Sequence, residues 1–500
     1  MRLTPSIEAM TPEQILRKKP FSVPIPPGVI GQAPIINPHQ PHVVNLTNVQ
    51  FELRTQADFY REFYPSSHKI NHLKYYPNTL YVNKENGSYQ AKVRSRIAVG
   101  FQERILVKRK EALLGNNVGM RLISGGTNQK MLDTLAFFRE GWEEYDMEVA
   151  INDAIEKDFK LADIAVYIFM DNSKPAWRIF SYEYGDTLYP HYDSLTGKLA
   201  LLGRLYTQED WDGNTREYLD VIDNKAFVTY RKADDNEGWV MEDKPKPHGF
   251  PRIPVEYHRR DNGPVWTPSQ GLCDGYEIGI SQFSENNAAY ALRILYTLGG
   301  DMEVLTNTDG TPNRIDSVDP NAKVGFLEPA QGADGAFAKQ LEIMEKNIMR
   351  GSFAVETPEI KSGADMSSRT VKMLFADSYL KALSDSMEYQ QFLNGVTDLF
   401  KYAYFMSENR ASEAAGFKVK SYLDPFIFLS ENDVISALQQ LVAIGCMSKK
   451  TATEIAYSIG YSSPDEINRL LQEANDEAAA QAQATRTQPN NPVNESRANA

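Results

Sequence analysis

Two amphipathic helical patterns on either side of a short strand-and-turn segment place the strongest constraint on the fold. The first pattern occupies residues 268–294, the second residues 335–350, and the segment between them is 295–333. The stripes are Tyr276, Ile280, Phe283, Asn287, Tyr290 and Ile294 in the first pattern, and Phe337, Leu341, Met344 and Ile348 in the second. Because side chains three and four residues apart share one face of a helix, each pattern predicts a helix that buries one face.

A third and longer helical pattern follows. A polar segment with Gly363 at its centre precedes it, and the pattern from Ser368 to Met406 predicts a helix on the order of 60 Å long. Its second half carries the stripe Phe392, Val396, Leu399 and Ala403. We expect one more strand at 417–423, then three short helices, and from Ala478 a tail rich in Ala, Gln and Asn that cannot form a core.

Residues 161–260 have a different pattern, which is typical of strands. After the apolar run Ile164–Met170, strand-like runs recur about every ten residues with turn residues between them. This spacing predicts an antiparallel β-domain with one face in solvent.

Residues 1–45 are predicted to form an arm. Thr11 and Gln14 favour a capped helix start, and the frequent prolines after Phe21 favour extended backbone. Apolar residues between these prolines fit a strap that lies on a surface, and a flexible tail is an equally open alternative.

Residues 50–160 are predicted to be mainly helical, with a break near Gly141. The most basic stretch, Lys92–Lys110, is a candidate for nucleic-acid binding, but Glu103 and the interleaved apolar residues favour an amphipathic helix or strand with one solvated face.

The charge balance argues against a protein that holds nucleic acid tightly. The chain has 66 acidic and 53 basic residues and a formal charge of −13, whereas phosphate contacts require Lys or Arg. The two cysteines, Cys273 and Cys446, form no disulfide framework or metal motif. The sequence shows no signal peptide and no apolar run long enough to span a membrane, so we expect a soluble intracellular protein.

No catalytic constellation is evident in the sequence. His68 and His72 have metal-like spacing without an acidic ligand nearby and are interpreted as surface residues; Ser124–Lys130 lacks the spacing of a phosphate loop and fits a helix cap or turn. Asp210 and Asp212 could bind the metal of a transferase, but they lie where a hairpin turn is expected. We therefore expect no enzyme activity, no cofactor and no metal.

The order of these elements resembles the portal proteins of tailed bacteriophages. Local resemblances are found at 165–170, 177–180, 188–193, 250–255, 445–452 and 463–467, where Ile467 stands in place of a common Glu. The resemblance covers about residues 130–480 and implies an α+β, mainly helical portal fold, with a β-rich wing, a helical stem, a small α/β clip, a long wing helix and a helical crown.

The resemblance also implies a domain order. It is an N-terminal Pro-rich arm (1–45), a wing (46–260), stem helix 1 (261–294), a clip (295–333), stem helix 2 (334–352), a channel or tunnel loop (353–367), the long helix with a returning wing strand (368–428), crown helices (429–478) and a disordered tail (479–500).

In function, the resemblance implies a ring, expected to contain twelve subunits, at one capsid vertex, through which the genome is packaged and ejected. The implied partners are further copies of the chain, the large terminase subunit, the major capsid or scaffolding protein, a head-completion or tail adaptor, and double-stranded DNA that passes through without specific binding, with no membrane. The expected location is the virion, and the host cytoplasm during assembly. The alternatives are another virion adaptor or minor capsid protein, or a metal-dependent transferase.

Two sets of residues are candidates for these contacts. The candidates to face DNA in the channel are Lys361, Arg369, Lys339, Lys346, Arg350 and Arg293, although pairing of the stem cations with Glu342, Glu345 or a neighbouring subunit is the favoured alternative for each. The candidates for partner docking on the clip are Asp301, Glu303, Asp309, Asp316, Asp319 and Glu328.

Overall fold

The computed structural model describes residues 5–17, 22–25, 52–82, 89–115, 117–123, 128–209, 213–233, 238–291, 294–298, 302–306, 312–317, 323–327, 333–355, 368–425, 438–445 and 452. The chain divides into two compact units: Met1–Pro358 with Asp377–Phe426, and Glu359–Ala376 with Ile427–Ala500. The sheets and cores described below belong to the first unit. In the second unit, the described residues are the first turns of the longest helix (368–376), 438–445, of which 438–443 are helical, and 452.

The helices of the described residues are α1 (Pro12–Leu16), α2 (Gln56–Phe63), α3 (Phe101–Leu114), α4 (Gln129–Glu144), α5 (Met147–Leu161), α6 (Gln270–Ala291), α7 (Ala333–Gly351), α8 (Ser368–Ser407) and α9 (Ala411–Ala414). The strands are β1 (Ser22–Ile25), β2 (Glu52–Thr55), β3 (Thr79–Val82), β4 (Tyr89–Lys92), β5 (Gly119–Leu122), β6 (Asp163–Asp171), β7 (Lys174–Ser181), β8 (Thr187–Tyr192), β9 (Leu199–Glu209), β10 (Thr215–Asp223), β11 (Ala226–Lys232), β12 (Trp239–Met241), β13 (Lys246–Pro247), β14 (Val255–Arg259), β15 (Ile294–Leu298), β16 (Met302–Thr306), β17 (Pro312–Ser317), β18 (Lys323–Leu327) and β19 (Val419–Tyr422).

The predicted β-domain consists of two antiparallel sheets. The smaller has the strand order β14–β6–β7, and the larger has the order β12–β11–β10–β9–β8 with β13 beside β11. Their facing sides form one apolar cluster, to which Ala165 and Phe180 contribute from the smaller sheet and Leu202 and Ile222 from the larger. The strand-like sequence runs are thus confirmed, because each run has the residues to fill one face of a sheet.

Helix α1 covers part of the opposite face of the larger sheet, where solvent was expected. Ile15 is 1% exposed and packs among Leu201, Leu219 and Val228. Gly203 lies beneath it; a Cβ there would lie 2.7 Å from the Ile15 methyl group, so only glycine permits this approach. Residues 5–17 of the arm therefore lie on the sheet, and the remaining arm residues, apart from 22–25, lie outside the described residues.

Most of the core lies between α3, α4, α5, the smaller sheet and the second half of α8. The predicted break near Gly141 is wrong: Gly141 lies within α4, where its missing side chain makes room for the ring of Tyr404. The break comes at Tyr145–Asp146, where Asp146 takes a left-handed φ of 51° and α5 begins at the next residue.

The predictions of the long helix, the late strand and the insert are confirmed, whereas the three predicted short helices after residue 429 and the tail lie outside the described residues, apart from 438–445 and 452. The long helix is α8, with Phe392, Val396 and Leu399 fully or almost fully buried, and the late strand is β19, which pairs with β5. In the insert, β15 pairs with β18 and β16 with β17, so the chain forms two nested antiparallel pairs between α6 and α7. Ile294 begins β15 rather than ending the first helix, because the run Ile294–Leu298 is rich in strand-forming residues and has a partner in β18.

Candidate functional site on the helix hairpin α6–α7

Helices α6 and α7 pack closely against each other. The rings of Phe283 and Phe337 stack with centroids 5.2 Å apart, and a Cβ at Gly279 would lie 3.3 Å from Leu341. The apolar stripes predicted from the sequence thus meet across this pair.

A second face of α6 carries a row of hydrogen-bonding side chains. The row consists of Gln270, Asp274, Glu277, Ser281 and Glu285, at spacings of three and four residues. Glu277 is 2% exposed and Ser281 is fully buried, so this row lies deeper than the apolar stripe beside it. We call it the acceptor row.

The acceptor row binds the backbone of the extended segment that leads into α3. The amides of Ser95, Ile97 and Val99 donate to Glu285 (2.9 Å), Ser281 (2.9 Å) and Glu277 (2.8 Å), respectively. Two residues of extended chain advance about 6.6 Å and four residues of helix about 6 Å, so the two repeats stay in register over this length. The side chains of a helix thus replace the partner strand that these amides would otherwise need.

The two ends of the acceptor row bind further side chains. Lys69 pairs with Asp274 at 2.9 Å, Gln102 donates to Gln270 at 3.0 Å, and Arg94 pairs with Glu285 at 3.2 Å. The row therefore holds Lys69 and residues 94–102 along the length of α6.

His68 belongs to this contact, and its interpretation as a surface residue is wrong. It is 4% exposed and its Nδ1 lies 2.5 Å from Glu277, which also accepts from Val99. His72 is exposed, as expected. The missed signal was that α6 contains three acidic residues but no Lys or Arg, so their partners had to come from elsewhere in the chain.

The base of the hairpin is closed by hydroxyl groups. The Ser269 hydroxyl donates to the Ile348 carbonyl at 2.8 Å, and the Ser352 hydroxyl lies 2.8 Å from that of Ser269. The guanidinium of Arg109 on α3 donates to the Ser352 carbonyl at 3.0 Å and also pairs with Asp385 on α8. Arg109 therefore joins the end of α7 to α8, on either side of segment 356–367.

The pKa values around Asp385 reflect both burial and this pairing. Burial raises the pKa of Asp385, but Arg109 and Arg260 outweigh it, so its pKa lies below the ordinary value. Burial lowers the pKa of Arg109, although Asp385 opposes this change.

Two more titratable groups lie in the same interior. Burial raises the pKa of Asp158 to about 7, while nearby Arg260 and the Tyr389 hydroxyl, which donates to Asp158, act in the opposite direction. Burial lowers the pKa of His258 to about 4. The His258 Nε2 atom lies 3.7 Å from the Asp158 carboxylate, beyond hydrogen-bond distance, and has no hydrogen-bond partner.

The outer face of α7 carries the described DNA candidates. Lys339, Lys346 and Arg350 are exposed and lie within about 40° of each other around the helix axis. Lys339 and Lys346 both pair with Glu342, at 2.7 and 2.5 Å, so two cations share one carboxylate. Hydrogen bonds from these lysines lower the pKa of Glu342 to about 2.

The alternative that the stem cations pair with Glu342 is therefore present for Lys339 and Lys346. The expected pairing with Glu345 is not, because Glu345 pairs with Arg104 on α3 at 3.2 Å. The other candidates have little or no described geometry: Lys361, Arg293, Asp301, Asp309, Asp319 and Glu328 lie outside the described residues, as do the transferase candidates Asp210 and Asp212. For Arg369, Glu303 and Asp316 only the backbone is described. Glu303 faces Asp316 across the β16–β17 pair, so two acidic residues occupy one rung.

Two other expectations from the sequence concern loops. Asn128 caps α4 by accepting from the Lys130 amide, as expected for a helix cap, whereas residues 124–127 lie outside the described part. The basic stretch Lys92–Lys110 is the end of β4, the extended segment and the first part of α3, and Arg109 within it is buried rather than solvated.

Among the described residues, no group of three or more His, Cys, Asp or Glu side chains could hold a metal ion. In the same part of the chain, no helix is both long enough and apolar enough to cross a membrane.

The family of SPP1 Gp6-like phage portal proteins matches residues 46–480, and the chain belongs to this family. It is thus a portal or connector protein, a structural and oligomeric component of the phage capsid vertex. Among solved structures, a chain from "Neck of empty GTA particle computed with C6 symmetry" is similar, with 11% identity, a TM-score of 0.39, and coverage of 75% of this chain and 90% of that chain. No curated protein matches the chain.

Replacing Glu277 with Ala should destabilise the protein by about 2–4 kcal/mol, because it leaves the buried His68 ring and the Val99 amide without their charged acceptor. Denaturant unfolding measures this loss, and hydrogen exchange at Ser95, Ile97 and Val99 should become faster. Glu342→Ala on the exposed face of α7 is the control and should leave both measurements unchanged. Equal effects of the two substitutions would show that the acceptor row does not hold this segment.

The buried groups Asp158 and His258 predict opposite pH dependences. The pKa of Asp158 is raised from 3.8, so its contribution to stability is lost as the pH rises through about 7. The pKa of His258 is lowered from 6.5, so its contribution is lost as the pH falls through about 4. Between these limits the two effects oppose each other in the unaltered chain.

Substituting one group should expose the effect of the other. Between pH 4.5 and 6, Asp158→Asn should make the free energy of unfolding rise more steeply with pH, and His258→Gln should make it rise less or fall, each by about 1.4 kcal/mol per pH unit. Urea unfolding at several pH values measures the slopes. Identical slopes in the two variants would contradict the opposed pKa shifts.

Proposed function

We propose that twelve copies of this chain form a ring at one capsid vertex and that DNA passes through the ring during packaging and ejection. The observation that carries the proposal is the family match over residues 46–480, which includes the whole α6–α7 hairpin with its nested strands and α8. In this proposal the hairpin is the stem, the insert 295–333 is the clip, and segment 353–367 is the channel loop that carries Lys361, with Arg369 just beyond it.

The charge pattern supports DNA as cargo. A net charge of −13 on each subunit disfavours tight binding of phosphates, so the strand can slide. The exposed cations of α7 supply weak contacts on this background, because Lys339 and Lys346 share a single carboxylate and Arg350 lies on the same face.

The same proposal assigns the other partners. The acidic clip, where Glu303 faces Asp316 across one rung, docks the large terminase subunit during packaging and a head-completion or tail adaptor afterwards. The wing contacts the major capsid or scaffolding protein. The ring has no catalytic role of its own, and assembly takes place in the host cytoplasm.

The ring itself is tested by mass photometry and electron microscopy of the purified protein. We expect particles of twelve times the 56.5 kDa subunit mass with a central hole, because a conduit requires a closed ring. Monomers or dimers at every concentration would overturn the proposed function.

The role of α7 is tested by charge reversal. The double variant Lys339→Glu/Lys346→Glu should assemble normally, because both side chains are exposed, but should package several-fold less DNA per head, because it presents carboxylates to the phosphates. The measurement is protected DNA per particle in a packaging assay.

The control for this variant reverses the charge of two exposed lysines of the β-domain, Lys174→Glu/Lys246→Glu. The control has the same change in net charge and should package normally. Equal packaging by the two double variants would show that this face of α7 does not meet DNA.

A further inference from the structure

Four tyrosines form a surface patch on α2 and on the turn that follows β7. These residues, Tyr60, Tyr64, Tyr182 and Tyr184, are called the tyrosine patch. The ring centroid of Tyr60 lies 4.7 Å from that of Tyr64 and 6.3 Å from that of Tyr182. Tyr60 is 37% exposed and Tyr184 is 56% exposed, so aromatic surface faces solvent on both elements.

The charges beneath the tyrosine patch are already paired. Lys157 and Lys160 both bind Glu183, at 3.1 and 2.6 Å. The Lys160 ammonium also lies 4.6 Å from the Tyr64 ring centre, and the Lys157 ammonium lies 4.8 Å from that of Tyr184. The patch therefore offers aromatic faces and hydroxyl groups without a free charge to attract a charged ligand.

One segment of the chain has the complementary chemistry. Residues 26–51 contain no Asp, Glu, Lys or Arg, although charged residues make up 24% of the chain. Five of these 26 residues are proline, and most of the others are apolar or amide side chains. An uncharged, Pro-rich segment of this kind suits an aromatic surface better than it suits solvent.

The described strands fix where this segment starts and ends. Ile25 on β1 pairs with Glu52 on β2, so residues 26–51 leave and return at the same point. Half of that length can extend about 40 Å at most. We call the β1–β2 pair the root of the segment. The sequence Pro38–His39–Gln40–Pro41 lies at the midpoint of residues 26–51, and it is therefore the part that can reach furthest from the root.

The position of the root favours a neighbouring copy over the same chain. Helix α2, which carries Tyr60 and Tyr64, begins immediately after β2, so the patch lies close to the root of its own arm. Residues near the root would suffice to cover it, whereas the Pro-x-x-Pro sequence lies at the far end. A tip that reaches about 40 Å can meet the next subunit in a ring.

The chemistry of the contact follows from proline. Two prolines three residues apart favour the polyproline II helix, which has no internal hydrogen bonds and leaves its carbonyl groups free. Aromatic grooves bind such segments by packing against the prolines. The Tyr64 hydroxyl already donates to Glu183, so Tyr182 and Tyr184 are the members of the patch whose hydroxyls can donate to the free carbonyls. We propose that Pro38–Pro41 of one copy docks on the tyrosine patch of the next copy and ties neighbouring subunits together.

This inference rests on the proposed ring, and two measurements separate it from that proposal. In the first, rings of Tyr60→Ala/Tyr184→Ala and of Pro38→Ala/Pro41→Ala are diluted and followed by mass photometry. Each should dissociate at a protein concentration at least tenfold higher than the unaltered ring. Tyr422→Ala is the control, because Tyr422 is 36% exposed, like Tyr60, but lies on β19, and it should dissociate as the unaltered ring does.

The second measurement identifies the occupant of the patch in an otherwise unaltered chain. The photo-crosslinker p-benzoylphenylalanine replaces Gln40 in rings assembled from isotopically light and heavy subunits, and mass spectrometry locates the crosslinks. We expect light-to-heavy crosslinks from position 40 to residues 56–64 or 182–184. Crosslinks within one subunit, or to another surface, would overturn the inference.

The outcomes for the two proposals differ. If the unaltered protein forms no ring, the proposed function fails and this inference fails with it. If rings form but both double variants dissociate at the same concentration as the control, only the tie between neighbouring subunits is refuted.

Discussion

The contact between the acceptor row of α6 and the extended segment 95–99 determines how the rest of the unit is joined. The amides of Ser95, Ile97 and Val99 have no partner strand and are partly buried, and an amide that loses its acceptor on burial destabilises a fold by up to about 1–3 kcal/mol. Glu277, Ser281 and Glu285 accept from them, and no neighbouring strand is required. The helix hairpin α6–α7 and the extended segment before α3 are thereby joined through side-chain-to-backbone hydrogen bonds.

Arg109 extends this connection to α8. The segment held by α6 continues directly into α3, and Arg109 on α3 reaches both the carbonyl of Ser352 at the end of α7 and the carboxylate of Asp385 on α8. A buried ion pair is a poor source of stability when compared with apolar packing, but removing one partner leaves the other charge buried and unpaired. The pair therefore specifies one relative position of α7 and α8, which bracket segment 356–367.

The sequence predicts the local structure of this chain better than its buried polar contacts. The strands of the β-domain, the long helix and the pairing elements of the insert follow from alternation, helical stripes and turn residues, which report each residue's own environment. The break after α4 was misplaced, because Gly141 was taken as a helix breaker although it makes room for Tyr404, a residue distant in sequence. His68 was misjudged for the same reason: its partner Glu277 lies 209 residues further along the chain. The pattern of apolar residues around Gly141 or around His68 gives no information about a partner so distant in the sequence. For the candidate site, the sequence named Lys339, Lys346 and Arg350 as candidates and Glu342 or Glu345 as alternative partners, and the structure shows that Lys339 and Lys346 share Glu342.

The buried ion pair between α3 and α8 and the exposed ion pairs on α7 have different physical consequences. Arg109 and Asp385 are at most 4% exposed, so exchanging one partner for a phosphate would require a charge to move through an apolar interior. Lys339 and Lys346 are more than half exposed, and pairs of this kind in water are weak and screened by salt. A phosphate can therefore replace Glu342 as their partner with little change in free energy, and Glu342 can take the lysines back when the phosphate leaves. In the proposed ring, a rigid and dry base would thus carry an outer face whose contacts with DNA form and break easily, which is what a moving strand requires.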